Sequence, residues 1–353
     1  MNGLGGGARK RGAAPVSGER VYVAEIVIGV GTSHTPLLSL DGDEWQSRAS
    51  DDFRSKNLNL SDGRWVTYDE LDSEVGGRYA DIAVPAVFRE KSDRSQAALD
   101  RIADDIEAAA PDVMIIVGDD QEELYSKANM PAVALYYGDE IVTHEHELLS
   151  LSSPPSWAAK VTQGWAVDAI HRFPAHREFA LELIDGLLAN DVDIAVCGEV
   201  EDPTKAGFGH AYGFVIKRLM KASIPVVPIL LNTYYPPNVL TPARCVAVGR
   251  ALRKAVEASP SDLRVAIVAS GGLSHFVVDE ELDEQVMDAM RRSAPSELET
   301  IPRAALNAGS SEILNWVLTA GAIEHLSCQW SEYVPVQRTP AGTGVGMGFA
   351  VWR

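Results

Sequence analysis

In the stretch VIGVGTSHTP, residues 27–36, an apolar, β-branched run stops at a glycine, two hydroxyl residues, a histidine and a proline. Valine and isoleucine suit a buried strand, and Gly31 lets the backbone turn sharply where that strand ends. Pro36 prevents simple continuation of a hydrogen-bonded ladder. The stretch therefore predicts a strand that presents His34 at the edge of a sheet, where open α/β sheets usually bind their ligands. A histidine at such an edge can also be structural, so His34 alone does not decide a function.

Composition narrows the class of protein. The chain has 353 residues, 46% of them hydrophobic and 23% charged, which is typical of a globular protein with a sizeable core. The formal net charge of −19 argues against nucleic acids and anionic membranes as partners, although a locally basic site could still bind a small anion. No apolar run has the length of a membrane-spanning helix. Cys197, Cys245 and Cys328 are widely spaced and odd in number, which predicts a cytoplasmic protein without a disulfide framework.

The order of apolar and polar segments predicts the organisation. Residues 1–23 are rich in glycine and alanine and are expected to form a disordered tail. Residues 24–353 are expected to form one domain, in which the polar stretch 40–77 is an insertion or a lid. Apolar runs that end in polar clusters alternate with helical patterns, which predicts a single α/β domain with a central, mostly buried mixed sheet flanked by helices. Strands are predicted at 113–117, 132–137, 193–197, 224–231 and 264–269, and helices at 92–109, 177–189, 241–258, 279–292 and 311–319.

Three histidines, His34, His210 and His275, each lie in a turn that contains glycine or serine. If these turns meet at one edge of the sheet, two chemistries compete. A mononuclear metal site needs imidazole and carboxylate ligands with open positions. A hydrolase needs a nucleophile, and Ser33 and Ser274 each precede a histidine. Neighbouring residues of a strand point to opposite faces, and no G-x-S-x-G elbow is present, so the pattern favours metal chemistry.

Four motifs carry a resemblance to a known family: TSHTP at 32–36, GHAYGF at 209–214, GGLSH at 271–275 and GSSEILNW at 309–316. In this order they resemble the motifs of the class III extradiol ring-cleavage dioxygenases of the protocatechuate 4,5-dioxygenase catalytic-subunit type. The similarity runs from about Ala24 to the end of the chain. The polar stretch and the turn GDDQ at 118–121 are most similar to the gallate and 3-O-methylgallate dioxygenase branch.

The resemblance implies an oxidoreductase of aromatic compound catabolism. It implies Fe(II) as cofactor and O₂ and a catechol-type aromatic acid as substrates, with gallate or 3-O-methylgallate as the nearest examples, and a homo-oligomer, usually a dimer. By position, His34 and Glu312 match the first histidine ligand and the carboxylate ligand of the iron. His210 and His275 match the two histidines that the family uses for substrate deprotonation and proton delivery.

One position departs from the family pattern. The second histidine ligand of the family falls at Gln121, and Asp120 is one residue away. A glutamine oxygen is a neutral, weaker ligand, whereas an aspartate would add charge to the metal. The metal ligands expected from the sequence are therefore His34, Gln121 and Glu312. Asp120 is an alternative at the second position, and other histidines that could take it are His144, His146 and His176.

Two other readings stay open at this stage. Position 121 motivates a non-catalytic relative that keeps the fold and binds a ligand or partner. Within enzymes, the alternative is a dioxygenase for another catechol or for an aminophenol. A metal-dependent hydrolase is less favoured because no zinc motif is present. Arg48, Lys56 and Arg64 in the polar stretch could bind a substrate carboxylate, or they could be ordinary solvated charges.

Overall fold

A computed structural model describes residues 23–353. Its β-strands are β1 Glu25–Thr32, β2 Leu58–Asn59, β3 Trp65–Val66, β4 Val113–Asp119, β5 Val133–Tyr136, β6 Glu140–Val142, β7 Arg172–Pro174, β8 Ala195–Cys197, β9 Val226–Leu231, β10 Arg264–Ser270, β11 His275–Val277, β12 Cys328–Gln337 and β13 Thr343–Trp352. Its α-helices are α1 Trp45–Asp52, α2 Tyr68–Val75, α3 Pro85–Ala109, α4 Ala158–Gly164, α5 Arg177–Ala189, α6 His210–Leu219, α7 Pro242–Ala258, α8 Glu280–Arg291, α9 Pro295–Leu298 and α10 Ile313–Ile323. Of these helices, none combines the length and the apolar character needed to cross a membrane.

One large mixed sheet forms the centre of the molecule. Its strand order is β11-β13-β1-β10-β4-β9-β5-β8, and β12 pairs with β13 outside this path. The strands β1, β10, β4 and β9 are parallel neighbours, whereas β13 is antiparallel to β1 and β5 is antiparallel to β9. The carboxyl ends of the four parallel strands therefore meet at one edge, which confirms the predicted α/β class and places the turn after each strand beside the others.

Alternating side chains of the buried strands divide between two apolar cores, one on each face of the sheet. In β4, Ile115 and Val117 belong to the core that α5, α7, α8 and α10 cover, while Met114 and Ile116 belong to the core that α3, α4 and α6 cover. Because both faces are buried, the strand has no polar position until Asp119, its last residue. Because both faces of such strands are buried, their continuous apolar runs could be predicted as strands.

Helix ends follow the capping signals of the sequence. In the helix predicted at 241–258, Thr241 accepts a hydrogen bond from the Arg244 backbone N–H, and Pro242 is the first residue of α7; threonine and proline are favoured at these two positions. Asp279 caps α8 by accepting hydrogen bonds from the N–H groups of Glu281 and Leu282. The helix predicted at 92–109 begins earlier, at Pro85, which is its first residue. The helix predicted at 311–319 begins later, at Ile313, after a 3-10 turn over Ala308–Glu312.

Two regions differ from the sequence expectation. The polar stretch 40–77 contains α1, α2 and the short β2–β3 hairpin rather than an irregular loop. The glycine content of residues 339–349 is typical of a loop with a last short strand, but the structure has the ten-residue strand β13 there, inside the sheet. Glycine is required there by close packing: a Cβ at Gly346 would lie 1.9 Å from the Asp283 carboxylate. The expected disordered tail, apart from Val23, lies outside the described residues.

Candidate metal centre and active site

Three polar side chains from separate parts of the chain meet at the carboxyl edge of the parallel strands. His34 follows β1, Asp119 is the last residue of β4, and Glu312 ends the 3-10 turn before α10. Each is almost fully buried, with 2%, 0% and 3% of its surface exposed. Each offers one ligand atom, and these atoms all lie within 4.8 Å of one another. Such a buried group of one imidazole and two carboxylates can hold a divalent cation.

The hydrogen bonds of His34 determine which ring nitrogen faces this group. Its Nδ1 lies 2.9 Å from Ser270 Oγ, and that hydroxyl donates its own proton to the Ala211 carbonyl at 2.6 Å. The hydroxyl must therefore accept from His34, so that in the neutral ring the proton lies on Nδ1. The lone pair of Nε2 then faces Glu312 Oε2 at 3.2 Å, and Nε2 is buried without a hydrogen-bond partner. Two electron-rich atoms at this distance need a positive charge between them, which a proton or a metal ion supplies.

The surroundings shift the pKa values of the two carboxylates in opposite directions. Burial raises the pKa of Asp119, and the neighbouring Glu312 raises it further. Burial also acts to raise the pKa of Glu312, but the charges of His275 and His34 and the backbone N–H of Gly272, which donates at 2.7 Å, hold it below its usual value. One proton is thus easily retained between two buried carboxylates of like charge. A divalent cation would remove that conflict, so the residues present fit a metal ion.

The structure also brings Gln121 to this group. Its Nε2 donates to Asp119 Oδ2 at 2.9 Å and lies 3.4 Å from Glu312 Oε1. The amide therefore faces the two carboxylates as a hydrogen-bond donor, and its role as a ligand stays a prediction. Asp119 is the carboxylate that the sequence analysis missed. It stands two residues before the expected ligand, in a run of acidic residues that gives no signal to single it out.

The residues that are alternatives for the second ligand make other contacts. Asp120 accepts hydrogen bonds from the N–H groups of Glu123, Leu124 and Tyr125 and so holds the turn after β4, and burial raises its pKa to about 7. His146 accepts from the Leu148 N–H, and His176 caps α5. His144 lines the neighbouring cavity, and in the described residues none of these side chains belongs to the buried group of three.

His210, the first residue of α6, lies beside His34, with the two ring centroids 4.6 Å apart. Its Nδ1 is 2.7 Å from Glu123 Oε1, and its backbone N–H donates to the same oxygen at 3.0 Å. Burial acts to lower the pKa of His210, but the Glu123 carboxylate outweighs it and raises that pKa to about 9. The structure therefore pairs the predicted catalytic histidine with a glutamate that the sequence analysis did not single out.

His275, the other histidine implied by the resemblance, begins β11. Its Nδ1 donates to the Leu273 carbonyl at 2.9 Å, which leaves Nε2 as the acceptor of the neutral ring. Burial lowers the pKa of His275. The charge of Glu312 acts to raise this pKa, and the charge of His34 acts to lower it. The glycine at 272 leaves room for the imidazole, because a Cβ there would lie 2.1 Å from its Cε1.

A cavity of about 680 Å³ adjoins the group, with Gln121 and Glu123 in its wall. Its other lining residues are mostly polar or acidic: Glu122, His144, Glu145, His146, Glu147, Ser150, Ile170, Pro203, Thr204, Lys205 and Tyr235. None of the three cations suggested for a substrate carboxylate lines it. Arg48 pairs with Asp51, and Arg64 pairs with Asp62 and Glu74.

Comparison with known proteins identifies the family of the chain. A family model described as the catalytic LigB subunit of aromatic ring-opening dioxygenase matches residues 85–348, more than half of the chain. Gallate dioxygenase of Pseudomonas putida is 28% identical over 158 residues, which are 42% of this chain and 46% of that protein. The 2,3-dihydroxyphenylpropionate/2,3-dihydroxicinnamic acid 1,2-dioxygenase of Comamonas testosteroni is 35% identical over 98 residues, which are 28% of this chain and 29% of that protein. The enzyme of the same name from Burkholderia vietnamiensis is 32% identical over 102 residues, which are 29% of this chain and 30% of that protein.

The matches thus span less than half of the length of each of these relatives. The family match is longer and includes Asp119, His210, His275 and Glu312, while His34 precedes it. The chain belongs to the family of the catalytic LigB subunit of aromatic ring-opening dioxygenases.

Proposed function

We propose that the protein is an Fe(II)-dependent extradiol dioxygenase, which opens an aromatic ring beside a pair of adjacent hydroxyl groups and incorporates both atoms of O₂. The observation that carries this proposal is the buried group of His34, Asp119 and Glu312, in which the Nε2 of His34 lacks a hydrogen-bond partner. Membership of a ring-opening dioxygenase family supports the reaction class.

We propose that His34 and Glu312 hold the iron. The third ligand is Asp119 in the arrangement that the distances favour, and Gln121 in the arrangement expected from the sequence. Bound Fe(II) would supply open coordination positions and lower the pKa of a phenolic hydroxyl. Ser270 fixes the ring of His34 through Nδ1, so that Nε2 is kept for the metal.

His210 and His275 are the proposed proton-transfer residues. The ring of His275 donates from Nδ1 to a backbone carbonyl, so its Nε2 can accept a proton from a substrate hydroxyl. The ring of His210 donates from Nδ1 to Glu123, whose negative charge favours a second proton on the ring, so His210 can deliver a proton from Nε2.

The substrate class is a catechol-type aromatic compound. Gallate or 3-O-methylgallate follows from the resemblance and from the similarity to a gallate dioxygenase. A catechol or aminophenol without a carboxylate is the second candidate. It is favoured by the wall of the adjoining cavity, in which Glu145 and Glu147 have no ion-pair partner among the described residues and Lys205 pairs with Asp202.

The test is O₂ uptake by the full chain after anaerobic reconstitution with Fe(II). Gallate, 3-O-methylgallate, unsubstituted catechol and 2-aminophenol would be compared. We expect uptake with a coloured ring-opened product from the wild type. We also expect it from His171→Ala, a control whose histidine lies outside the site and pairs with Asp168. Glu312→Ala should lose it. No bound iron and no uptake with any of these compounds would contradict the enzyme and favour a non-catalytic relative.

A further inference from the structure

We infer that Glu123 is a positioning residue, which orients the ring of His210 so that its Nε2 faces the metal centre. The role rests on the proposed function, but the orientation itself can be tested without it. Glu123 lies two residues beyond Gln121, and its side chain is 8% exposed. It contacts Nδ1 of His210, whereas the other ring nitrogen, Nε2, lies 3.5 Å from the Gln121 amide. A buried carboxylate needs partners, and both of the partners described here belong to one histidine.

One oxygen of Glu123 holds both the backbone and the ring of His210. Oε1 accepts from the His210 N–H at 3.0 Å and lies 2.7 Å from Nδ1. A carboxylate cannot donate, so the proton of this short contact lies on Nδ1 when Glu123 is ionised. The ring can then rotate only by breaking a charge-assisted hydrogen bond.

The surrounding chain leaves space for the Glu123 carboxylate and fixes the backbone of this residue. A Cβ at Gly209 would lie 1.7 Å from the Glu123 carboxyl carbon, so only glycine leaves this space at the residue before His210. The backbone of Glu123 is fixed as well: its N–H donates to Asp120 Oδ1 at 3.0 Å, and its carbonyl accepts from the Gly207 N–H at 3.0 Å. The glutamate is therefore held at both its backbone and its side chain before it contacts the histidine.

With Nδ1 turned toward Glu123, the opposite ring nitrogen is turned toward the centre. Nε2 of His210 lies 3.5 Å from Nε2 of Gln121, the amide that contacts Asp119 and Glu312. The rings of His34 and Trp165 lie 4.6 and 4.8 Å away, centroid to centroid, and limit other orientations. The proton-delivering nitrogen of the proposed reaction is thus selected by a residue that does not itself touch the centre.

The direct test is the proton position on His210 in the full, metal-free chain. At a pH high enough for the ring of His210 to be neutral, long-range ¹H–¹⁵N NMR separates a proton on Nδ1 from one on Nε2. The His210 signals are identified by their loss in His210→Ala. We expect a proton on Nδ1 in the wild type and in Glu122→Gln, the control. Glu122 lines the same cavity but pairs with Lys127. Glu123→Leu, which has no acceptor, should lose this preference.

Glu123→Gln keeps an acceptor without the charge and is expected to fold even if the leucine variant does not. In this variant the Nδ1 proton resonance of His210 should move upfield, because a neutral acceptor makes a weaker hydrogen bond. In the Fe(II)-loaded chain we expect kcat to fall about tenfold or more with KM and iron content little changed, and Glu123→Gln should retain more activity than Glu123→Leu.

A wild-type ring without the Nδ1 proton, or ring signals that are the same in the wild type and the Glu123 variants, would overturn the inference even if the chain is a dioxygenase. Conversely, the expected NMR result without any O₂ uptake would leave the orientation in place and contradict the proposed function.

Discussion

Replacement of Asp52 by alanine is predicted to be one of the most destabilising single changes outside the active site. Asp52 ends α1 in the polar stretch 40–77, and its two oxygens accept from Arg338 Nε and Nη2 at 2.9 and 3.0 Å. The Thr343 hydroxyl donates to the same carboxylate at 2.9 Å. These bonds join the polar stretch to the C-terminal strands, so the stretch is anchored at this point.

The magnitude follows from burial. The side chains of Arg338 and Asp52 are only 4% and 11% exposed, so removal of the carboxylate leaves a guanidinium without compensation in a nearly dry site. Arg48 lies close enough that burial and the charge of Arg338 lower its pKa to about 10, and the loss of Asp52 would leave these two like charges together. Breaking a buried pair on one side typically costs about 3–5 kcal/mol of unfolding free energy.

Urea unfolding followed by fluorescence and circular dichroism would measure this change. The control is Glu74→Ala, which breaks an exposed pair with Arg64 and should cost less than about 1 kcal/mol. The double variant Asp52→Ala/Arg338→Met should recover much of the lost stability, because it leaves no unpaired charge. The reasoning would be refuted by a cost for Asp52→Ala as small as that of the control, or by a double variant no more stable than the single one.

Three further predictions concern the core and the metal centre. Burial raises the pKa of Asp283 from 3.8 to about 7, so between these pH values the folded chain retains a proton that the unfolded chain loses. In urea unfolding across that range, wild-type stability should fall by about 3 kcal/mol from pH 4 to pH 7 relative to Asp283→Asn. A Cβ at Gly31 would lie 2.2 Å from the Trp316 ring, so Gly31→Ala should lower the unfolding free energy by about 1–3 kcal/mol. Gly29→Ala should lower it by less, because a Cβ at Gly29 would meet the flexible end of the Ile323 side chain. Asp119→Asn should weaken Fe(II) binding about tenfold or more in anaerobic calorimetry, and unchanged affinity would remove Asp119 from the ligand set.

The part of the fold that positions the site could be predicted from the sequence because its signals are local. Strands buried on both faces give continuous apolar runs, and each run ends where the chain turns. The position of His34 at the edge of a sheet could therefore be predicted, whereas the meeting of the His275 turn with that edge stayed a hypothesis. The segment of β13 could not be predicted, since its glycines resemble a loop, and only the packing of Gly346 against Asp283 shows why glycine is needed in a strand.

The acidic turn after β4 shows where prediction of the site ended. Asp119, Asp120, Glu122 and Glu123 stand within five residues, and all are carboxylates in a polar run. The tertiary structure gives them different partners: Asp120 binds the backbone of the turn, Glu123 binds His210, and Asp119 joins the buried group. These roles depend on the exact backbone path of the turn, which no residue pattern in the run specifies.

The fate of labelled oxygen would show whether the chain performs extradiol ring cleavage. The Fe(II)-reconstituted chain would be incubated under ¹⁸O₂ with the catechol-type compound that supports the fastest uptake, and the rapidly quenched product would be analysed by mass spectrometry. Extradiol cleavage predicts a ring-opened product that carries both atoms of one O₂ molecule, with one O₂ consumed per ring. An intact ring, a product that carries only one labelled atom, or release of the oxygen as hydrogen peroxide would contradict the account.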